Sequence, residues 1–204
     1  IGMSRILKSE KHLKSQEENI DVLRIASTNL MNLLNDVLDY GKIESGNLEL
    51  DNAPFDFRHL LNNIRKANKM YATEKNNELI VTVDENLSSN YNGDNVRIGQ
   101  ILTNLVSNAI KFTKDGTIEL CVEEIESDEN GSFIQVGVRD TGIGISKENQ
   151  VKIFKKFKQA ESHTTRNYGG TGLGLAITKD LLALMDSQIS IESEMGEGSY
   201  FYFE

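Results

Sequence analysis

The sequence of 204 residues contains a single cysteine, a single proline and no tryptophan. With Cys121 alone, no disulfide bond can form within the chain, which excludes a disulfide-stabilised domain and favours a reducing compartment. No apolar run approaches the ~18 residues that a membrane-spanning helix requires. We therefore expect a cytoplasmic location without membrane contact, and any anchor of the full-length protein would have to lie outside this sequence.

Basic residues are also scarce, because 22 lysines and arginines stand against 31 aspartates and glutamates, for a formal charge of -9. Nucleic acids and anionic membrane surfaces attract proteins through an excess of lysine and arginine. Neither is therefore expected as a partner. The overall charge does not exclude an anionic ligand, since a site can be positive locally.

The single proline, Pro54, separates two patterns. Before it, apolar residues recur at spacings of three and four, which predicts a long helix at 16–44 with the seam of a coiled coil or helix bundle. A short helix at 1–8 and a bend at 11–17 precede this helix. We expect the seam to pair with a second copy of the chain. It consists of Leu23, Ala26, Leu30, Leu33, Val37 and Tyr40, widened by Leu34 and Leu38.

Beyond Pro54, helical and strand patterns alternate. Strands joined by short turns predict antiparallel pairs, so the fold class is α+β, with helices on one face of a sheet. Asp56 can cap the first of these helices. We expect helices at 57–71, 96–111 and 173–185, and strands at 48–50, 79–83, 117–125, 133–140, 189–194 and 200–203.

The helix predicted at 96–111 carries one narrow polar stripe, and the rest of it is largely apolar. At 100° per residue, Arg97, Gln100, Asn104, Asn108 and Lys111 fall within one arc. An ordinary solvated face would more often carry glutamate and lysine, and asparagine is a poor helix former. An asparagine oxygen can complete a Mg²⁺ shell already filled by phosphates and waters, and a lysine offsets phosphate charge. The stripe is therefore either a Mg-phosphate site or a plain polar face.

A second motif, Asp140-Thr-Gly-Ile-Gly144, follows a predicted strand. The alternation of that strand places Asp140 on its buried face. A buried carboxylate needs a hydrogen-bond donor, which an adenine amino group would supply. Gly142 and Gly144 would let the backbone approach closely where a side chain would obstruct. The alternative is that Asp140 is a turn residue.

A third motif, Gly-Gly-Thr-Gly-Leu-Gly at 169–174, enters the last predicted helix. Exposed N–H groups at the start of a helix bind anions. The motif lacks the lysine of a Walker A loop and the spacing of a Rossmann fingerprint, and by itself it is equally compatible with a flexible loop. The polar stretch at 159–168 predicts a lid, with Ile153, Phe154 and Phe157 at its base.

Taken in order, these motifs resemble the N, G1, F and G2 boxes of sensor histidine kinases, and those of hybrid kinases in particular. The resemblance implies a Bergerat-type ATP-binding sandwich with a mixed sheet at 47–204, with ATP and Mg²⁺ as cofactors. It also implies transfer of the ATP γ-phosphoryl group to a histidine and onward to an aspartate of a response-regulator receiver domain. Asn108 would coordinate the metal, and Asp140 would recognise adenine. The implied ATP-binding set is Asn104, Asn108, Lys111, Phe112, Asp140, Gly142, Gly144, Gly170, Thr171, Gly172, Leu173, Gly174 and Ser199.

The resemblance further implies that residues 1–46 are part of a dimerisation hairpin from which the phospho-acceptor histidine is missing. The family carries that histidine in a His-Glu pair, whereas His12, His59 and His163 are followed by Leu, Leu and Thr. We therefore expect no autophosphorylation of this chain. The chain departs from the family pattern at two further places. Ser146 stands where the family usually has proline, and Asp186-Ser187 stands where it usually has Gly-Gly. Neither departure touches the implied nucleotide residues.

Two alternatives to an active kinase remain. A gyrase-like hydrolase of the same fold places a glutamate, the base that activates water, at the position of Asn104. A degenerate kinase could act as a non-catalytic, ATP-binding dimer partner, but degeneration should erode the nucleotide motifs. Since Asn108, Asp140 and the glycines are all present, the sequence favours an active phosphotransferase.

Overall fold

The computed structural model describes residues 2, 6, 7, 14–85, 87, 88, 90–128, 131–155 and 172–204. It divides into two compact units, Ile1–Leu48 and Glu49–Glu204. Most of the helix predicted at 1–8, together with His12, Phe157 and the predicted lid, lies outside the described residues.

The first unit contains one long helix, α1 (Lys14–Glu44), of 31 residues, or roughly 46 Å. It begins within the segment expected to bend, because Lys14 and Gln16 are good helix formers and Glu17 suits the positive end of the helix dipole. Its predicted seam is exposed apart from the half-buried Tyr40, with Leu30 at 67%, Leu34 at 48% and Val37 at 47%. In the described part of the chain, no helix is long and apolar enough to cross a membrane.

The second unit contains seven described strands: β1 (Ala53–Phe55), β2 (Glu78–Val83), β3 (Tyr91–Gly93), β4 (Thr117–Asp128), β5 (Gly131–Asp140), β6 (Ser190–Glu194) and β7 (Gly198–Phe203). Five of them form a mixed sheet with the strand order β2-β4-β5-β7-β6, and β1 and β3 form a separate antiparallel pair. Neighbouring strands joined by short turns are antiparallel, as expected. β2 and β4 are parallel because a helix lies between them along the chain and returns it to the same end of the sheet.

The strand predicted at 48–50 is wrong, since pairing starts at Ala53 instead. Pairing at this point lets Phe55 become buried, with its ring 4.7 Å from that of Phe57. The partner strand β3 was not predicted, because three residues are too few for a periodicity to emerge.

The described residues of this unit also form four helices, namely α2 (Phe57–Glu74), α3 (Asn95–Phe112), α4 (Lys147–Gln150) and α5 (Gly174–Leu184). Asp56 caps α2, as predicted, by accepting hydrogen bonds from the N–H groups of Arg58 and His59 at 2.7 and 3.3 Å. Asp94 caps α3 in the same way through Val96 and Arg97. The four-residue helix α4 was not predicted.

The core lies between the helices and one face of the sheet. Ile118, Leu120 and Val122 of β4 share this buried face with Val136 and Val138 of β5. Each fully buried aliphatic side chain contributes ~1.5–3 kcal/mol. The same alternation places Asp140 on the buried face at the end of β5, which confirms the predicted parity. The apolar side of α3 packs into this core, so its polar stripe faces outward.

Candidate functional site

The polar stripe of α3 is held in place by contacts with α5. Asn104 donates from Nδ2 to the hydroxyl of Thr178 on α5 at 2.9 Å, and its Oδ1 accepts from Nδ2 of Asn108 at 3.5 Å. The hydrogen bond to Asn104 engages the nitrogen of the Asn108 amide and leaves its Oδ1 as the atom available to a cation. One turn earlier, Arg97 donates to Oε1 of Gln100 at 2.8 Å.

Lys111 lies in the last turn of α3, half-buried and 4.9 Å from the ring centroid of Phe112. Burial, with a smaller contribution from the nearby Lys75 ammonium, lowers the pKa of Lys111. Lys75 itself donates to the carbonyl oxygen of Lys111 at 2.8 Å. Two ammonium groups next to each other favour an anion at this end of α3. Lys75 was not among the predicted site residues, because it lies 36 residues earlier in the chain.

Asp140 is buried, with 7% of its surface exposed, at the C-terminal end of α3. Its Oδ1 accepts from the N–H of Gly142 at 2.8 Å and from the hydroxyl of Thr113 at 3.5 Å. Burial raises the pKa of Asp140, and hydrogen bonds from Gly142, Thr113 and the backbone of Ser199 oppose that rise. Thr113 was not among the predicted site residues, although a polar residue directly after Lys111 and Phe112 could have indicated it.

The loop after Asp140 is fixed between α3 and the turn from β6 to β7. The N–H of Ile143 donates to the carbonyl of Phe112, and the carbonyl of Ile143 accepts from Gly196. A Cβ atom on Gly142 would lie 2.5 Å from the oxygen of Phe112. On Gly144, where φ is +67°, it would lie well under 3 Å from the carbonyl of Glu194. The close approach that these glycines permit is therefore to the chain itself.

The glycine-rich motif is described from Gly172 onward, and Gly170 and Thr171 lie outside the described residues. Leu173 is buried, and Gly174 begins α5. A Cβ atom on Gly174 would lie 3.0 Å from Cγ of Asn104 and closer still to its Oδ1. The N-terminus of α5 thus lies directly against the stripe of α3.

Ser199 lies beside Asp140, opposite it in the register of β5 and β7. Its side chain is buried, and its hydroxyl lies 3.0 Å from that of Ser193. Gly198, with φ +106°, allows this approach because a Cβ atom there would overlap the carbonyl of Asp140.

The three motifs therefore meet along one helix. Asp140 lies at its C-terminal end, Lys111 and Asn108 follow, and Asn104 with Gly174 lies further toward the N-terminus. From Thr113 to Asn104 the helix rises roughly 14 Å. Within the described residues, no cluster of three or more His, Cys, Asp or Glu side chains could hold a metal. A single amide oxygen on Asn108 fits Mg²⁺ only if phosphates and waters supply its other ligands.

Residues 93–204 match the family of histidine kinase-, DNA gyrase B- and HSP90-like ATPases. The signal transduction histidine-protein kinase BarA of Escherichia coli K12 is 37% identical over 203 residues, which cover 100% of this chain and 22% of BarA. Hybrid signal transduction histidine kinase L of Dictyostelium discoideum is 40% identical over 202 residues, which cover 98% of this chain and 12% of that kinase. The chain thus spans less than a quarter of these curated relatives.

Solved structures show the same fold. Full-length ShkA, in complex with AMPPNP, has a TM-score of 0.78 and 33% identity, covering 99% of this chain and 41% of ShkA. The catalytic domain of the histidine kinase ThkA has a TM-score of 0.61 and 25% identity, covering 75% of this chain and 93% of that domain. ThkA in complex with the response regulator TrrA has a TM-score of 0.67 at 22% identity, covering 98% of this chain and 54% of ThkA.

Proposed function

Because this chain belongs to the histidine kinase-, DNA gyrase B- and HSP90-like ATPases, we propose that it is the ATP-binding catalytic domain of a two-component sensor histidine kinase. In this role it binds Mg-ATP and delivers the γ-phosphoryl group to a histidine. The observation that carries this proposal is the meeting of Asp140, Asn108 and Gly174 around α3. Residues 47–204 would form the nucleotide-binding domain. Residues 1–46 would form part of a dimerisation hairpin.

In this proposal each motif has one task. Asp140 accepts a hydrogen bond from the adenine amino group in a dry pocket, where the interaction is strong. Lys111 and the N–H groups at the start of α5 offset phosphate charge. Asn108 holds Mg²⁺, which would neutralise the phosphates when bound. The remaining proposed nucleotide contacts are Asn104, Phe112, Gly142, Gly144, Gly170, Thr171, Gly172, Leu173 and Ser199.

We propose that the acceptor is none of the three histidines in this sequence. His59 is exposed on the first turn of α2 and is followed by leucine, and His12 and His163 lie outside the described residues. From the acceptor the phosphoryl group would pass to an aspartate of a response-regulator receiver domain. A cytoplasmic location without contact with nucleic acid or membrane completes the proposal.

Hydrolysis as the main reaction is disfavoured by the environment of Asn104. Its amide is bonded to Thr178 and packed against Gly174, and a neutral amide cannot take a proton from water. An inactive role as an ATP-binding dimer partner predicts nucleotide binding without transfer, so an assay of phosphoryl transfer separates it from the active kinase.

Changing Asn108 to alanine is expected to reduce the contribution of Mg²⁺ to ATP affinity about tenfold, because the only proposed protein ligand of the metal is lost. Affinity for ATP without Mg²⁺ should change less than twofold. Calorimetric titration of both proteins, with Mg²⁺ and with EDTA, measures the two effects. Ser107→Ala, an exposed neighbour on the same helix, is the control. Equal losses in both conditions would mean that Asn108 contacts the nucleotide or supports the fold.

The exposed seam of α1 is expected to make the chain dimeric, since an apolar stripe of this length is rarely left in water. Replacing Leu30, Leu34 and Val37 with serine should yield a monomer, whereas the control Asn35→Ser should leave the chain dimeric. Light scattering after size exclusion at tens of micromolar protein gives the answer. A monomeric wild-type chain would contradict the proposed dimerisation segment.

A further inference from the structure

The edge strand β2 presents unpaired main-chain groups. In the described part of the chain it pairs only with β4, through bonds such as Glu78 N–H to Gly116 O at 2.9 Å and Asp84 N–H to Val122 O at 3.0 Å. Because alternate residues of a strand turn their backbone groups to opposite sides, Leu79, Val81 and Val83 direct their N–H and C=O groups away from β4.

The free side of β2 borders a groove of about 470 Å³. One wall is β2 itself, and the other is the face of α2 that carries Arg58, Asn62 and Arg65. These three residues are four and three positions apart, which puts them on one side of the helix. The groove therefore runs along the strand, with main-chain groups on one side and polar side chains on the other.

The charge of this groove is opposite to that of the whole chain. Arg58 and Arg65 outweigh Glu78 among the residues that line it, whereas the chain has a formal charge of -9. Arg58 is engaged, since its guanidinium donates to the carbonyls of Asp84 at 2.9 Å and Leu87 at 3.4 Å and so closes one end of the groove. Arg65 is exposed, and no acidic side chain among the described residues pairs with it.

The edge also lacks three features that often block strand addition, namely proline, lysine and a bulge. Residues 78–83 contain no proline and no lysine, and the pairing of β2 with β4 runs without a bulge. Pairing of β2 with a second copy is disfavoured, because a two-fold axis would bring two Arg65 side chains into one groove. Glu78 is the one acidic residue lining the groove, at the end away from Arg58.

We propose that β2 and this groove bind an extended acidic segment of a partner protein as an added strand. The segment forms main-chain hydrogen bonds with Leu79, Val81 and Val83, which give affinity without sequence preference. A carboxylate on the segment pairs with Arg65, which selects an acidic partner.

The test uses a short synthetic peptide that alternates glutamate with valine, and a second peptide that alternates lysine with valine. Backbone amide exchange of the wild-type chain is followed by NMR. The glutamate peptide should slow exchange at Leu79, Val81 and Val83 at least about tenfold, and the lysine peptide should not. Arg65→Glu should weaken binding of the glutamate peptide about tenfold, or ~1.4 kcal/mol.

Lys66→Glu is the matched control, because it makes the same charge change at the next exposed position and does not line the groove. It should alter peptide affinity less than twofold. The proposal is overturned if the glutamate peptide leaves the three amides unprotected, if both peptides protect them equally, or if Lys66→Glu weakens binding as much as Arg65→Glu. Protection that rises with protein concentration in the absence of peptide would instead assign the edge to a second copy.

Discussion

Asp140→Asn is expected to lower the affinity for ATP about 10- to 100-fold and to remove the preference for ATP over GTP. The buried carboxylate can only accept, so it suits the amino group of adenine and is left facing an acceptor when guanine presents its carbonyl. A hydrogen bond to a charged group contributes ~1.5–3 kcal/mol, and the substitution should remove about this much of the free energy of ATP binding. Asparagine keeps the shape of the side chain but can turn its NH₂ toward the guanine oxygen.

Calorimetric titration of both proteins with ATP and GTP measures this change, and the thermal midpoints show whether the variant is folded. Glu123→Gln is the control, because this carboxylate is exposed on β4. If wild-type protein bound the two nucleotides equally, or if Asp140→Asn left the ATP affinity unchanged, adenine recognition would have to be assigned to another residue.

Gly144→Ala is expected to destabilise the second unit by about 3 kcal/mol or more. Alanine at φ +67° costs ~1–2 kcal/mol, and its Cβ atom would overlap the carbonyl of Glu194, which adds ~1–3 kcal/mol of overpacking. For a domain of this size the thermal midpoint should fall by roughly 6–12 °C. Since the loop also carries Gly142 beside Asp140, ATP affinity should fall with stability.

Gly196→Ala separates the two causes. Gly196 lies in the turn that Gly144 packs against, with a similar φ of +87°, but nothing lies within 4 Å of a Cβ atom placed there. It should cost only the ~1–2 kcal/mol of the left-handed backbone. Denaturant unfolding of the three proteins gives the comparison. Equal losses for both variants would show that the packing of the loop against Glu194 contributes nothing.

The stripe on α3 could be predicted because it depends on helical periodicity alone. Gln100, Asn104 and Asn108 are four residues apart, so any helix through them must align them, and the structure contains that helix. The position of Asp140 on the buried face of the sheet could be predicted in the same way, from the alternation of residues along β5. Such local regularities determine which face a residue occupies without knowledge of the rest of the fold.

Contacts between distant segments could not be predicted. Thr113 approaches Asp140 across 27 residues, and Lys75 approaches Lys111 across 36, and both contacts depend on how whole elements pack. The parallel pairing of β2 with β4 is likewise set by the crossover through α3. The short elements β3 and α4 could not be predicted, because three or four residues are too few to show a strand or helix periodicity.

The glycines illustrate the same limit. Gly142 and Gly144 were identified from their spacing as positions of close backbone approach, and that property holds. The sequence could not show which segments approach these glycines. The carbonyl of Phe112 lies against Gly142, and that of Glu194 lies against Gly144. The motif therefore holds the loop in the position that places the N–H of Gly142 on Asp140.

The most direct test of the proposed function follows the γ-phosphate of ATP. The chain is incubated with Mg²⁺ and γ-labelled ATP, with and without an added histidine-bearing dimerisation hairpin from a sensor kinase. We predict acid-labile label on the added hairpin, none on His12, His59 or His163, and a large loss of transfer for Asn108→Ala. Release of the label as inorganic phosphate at the same rate without the hairpin, or label on a histidine of this chain, would contradict the account.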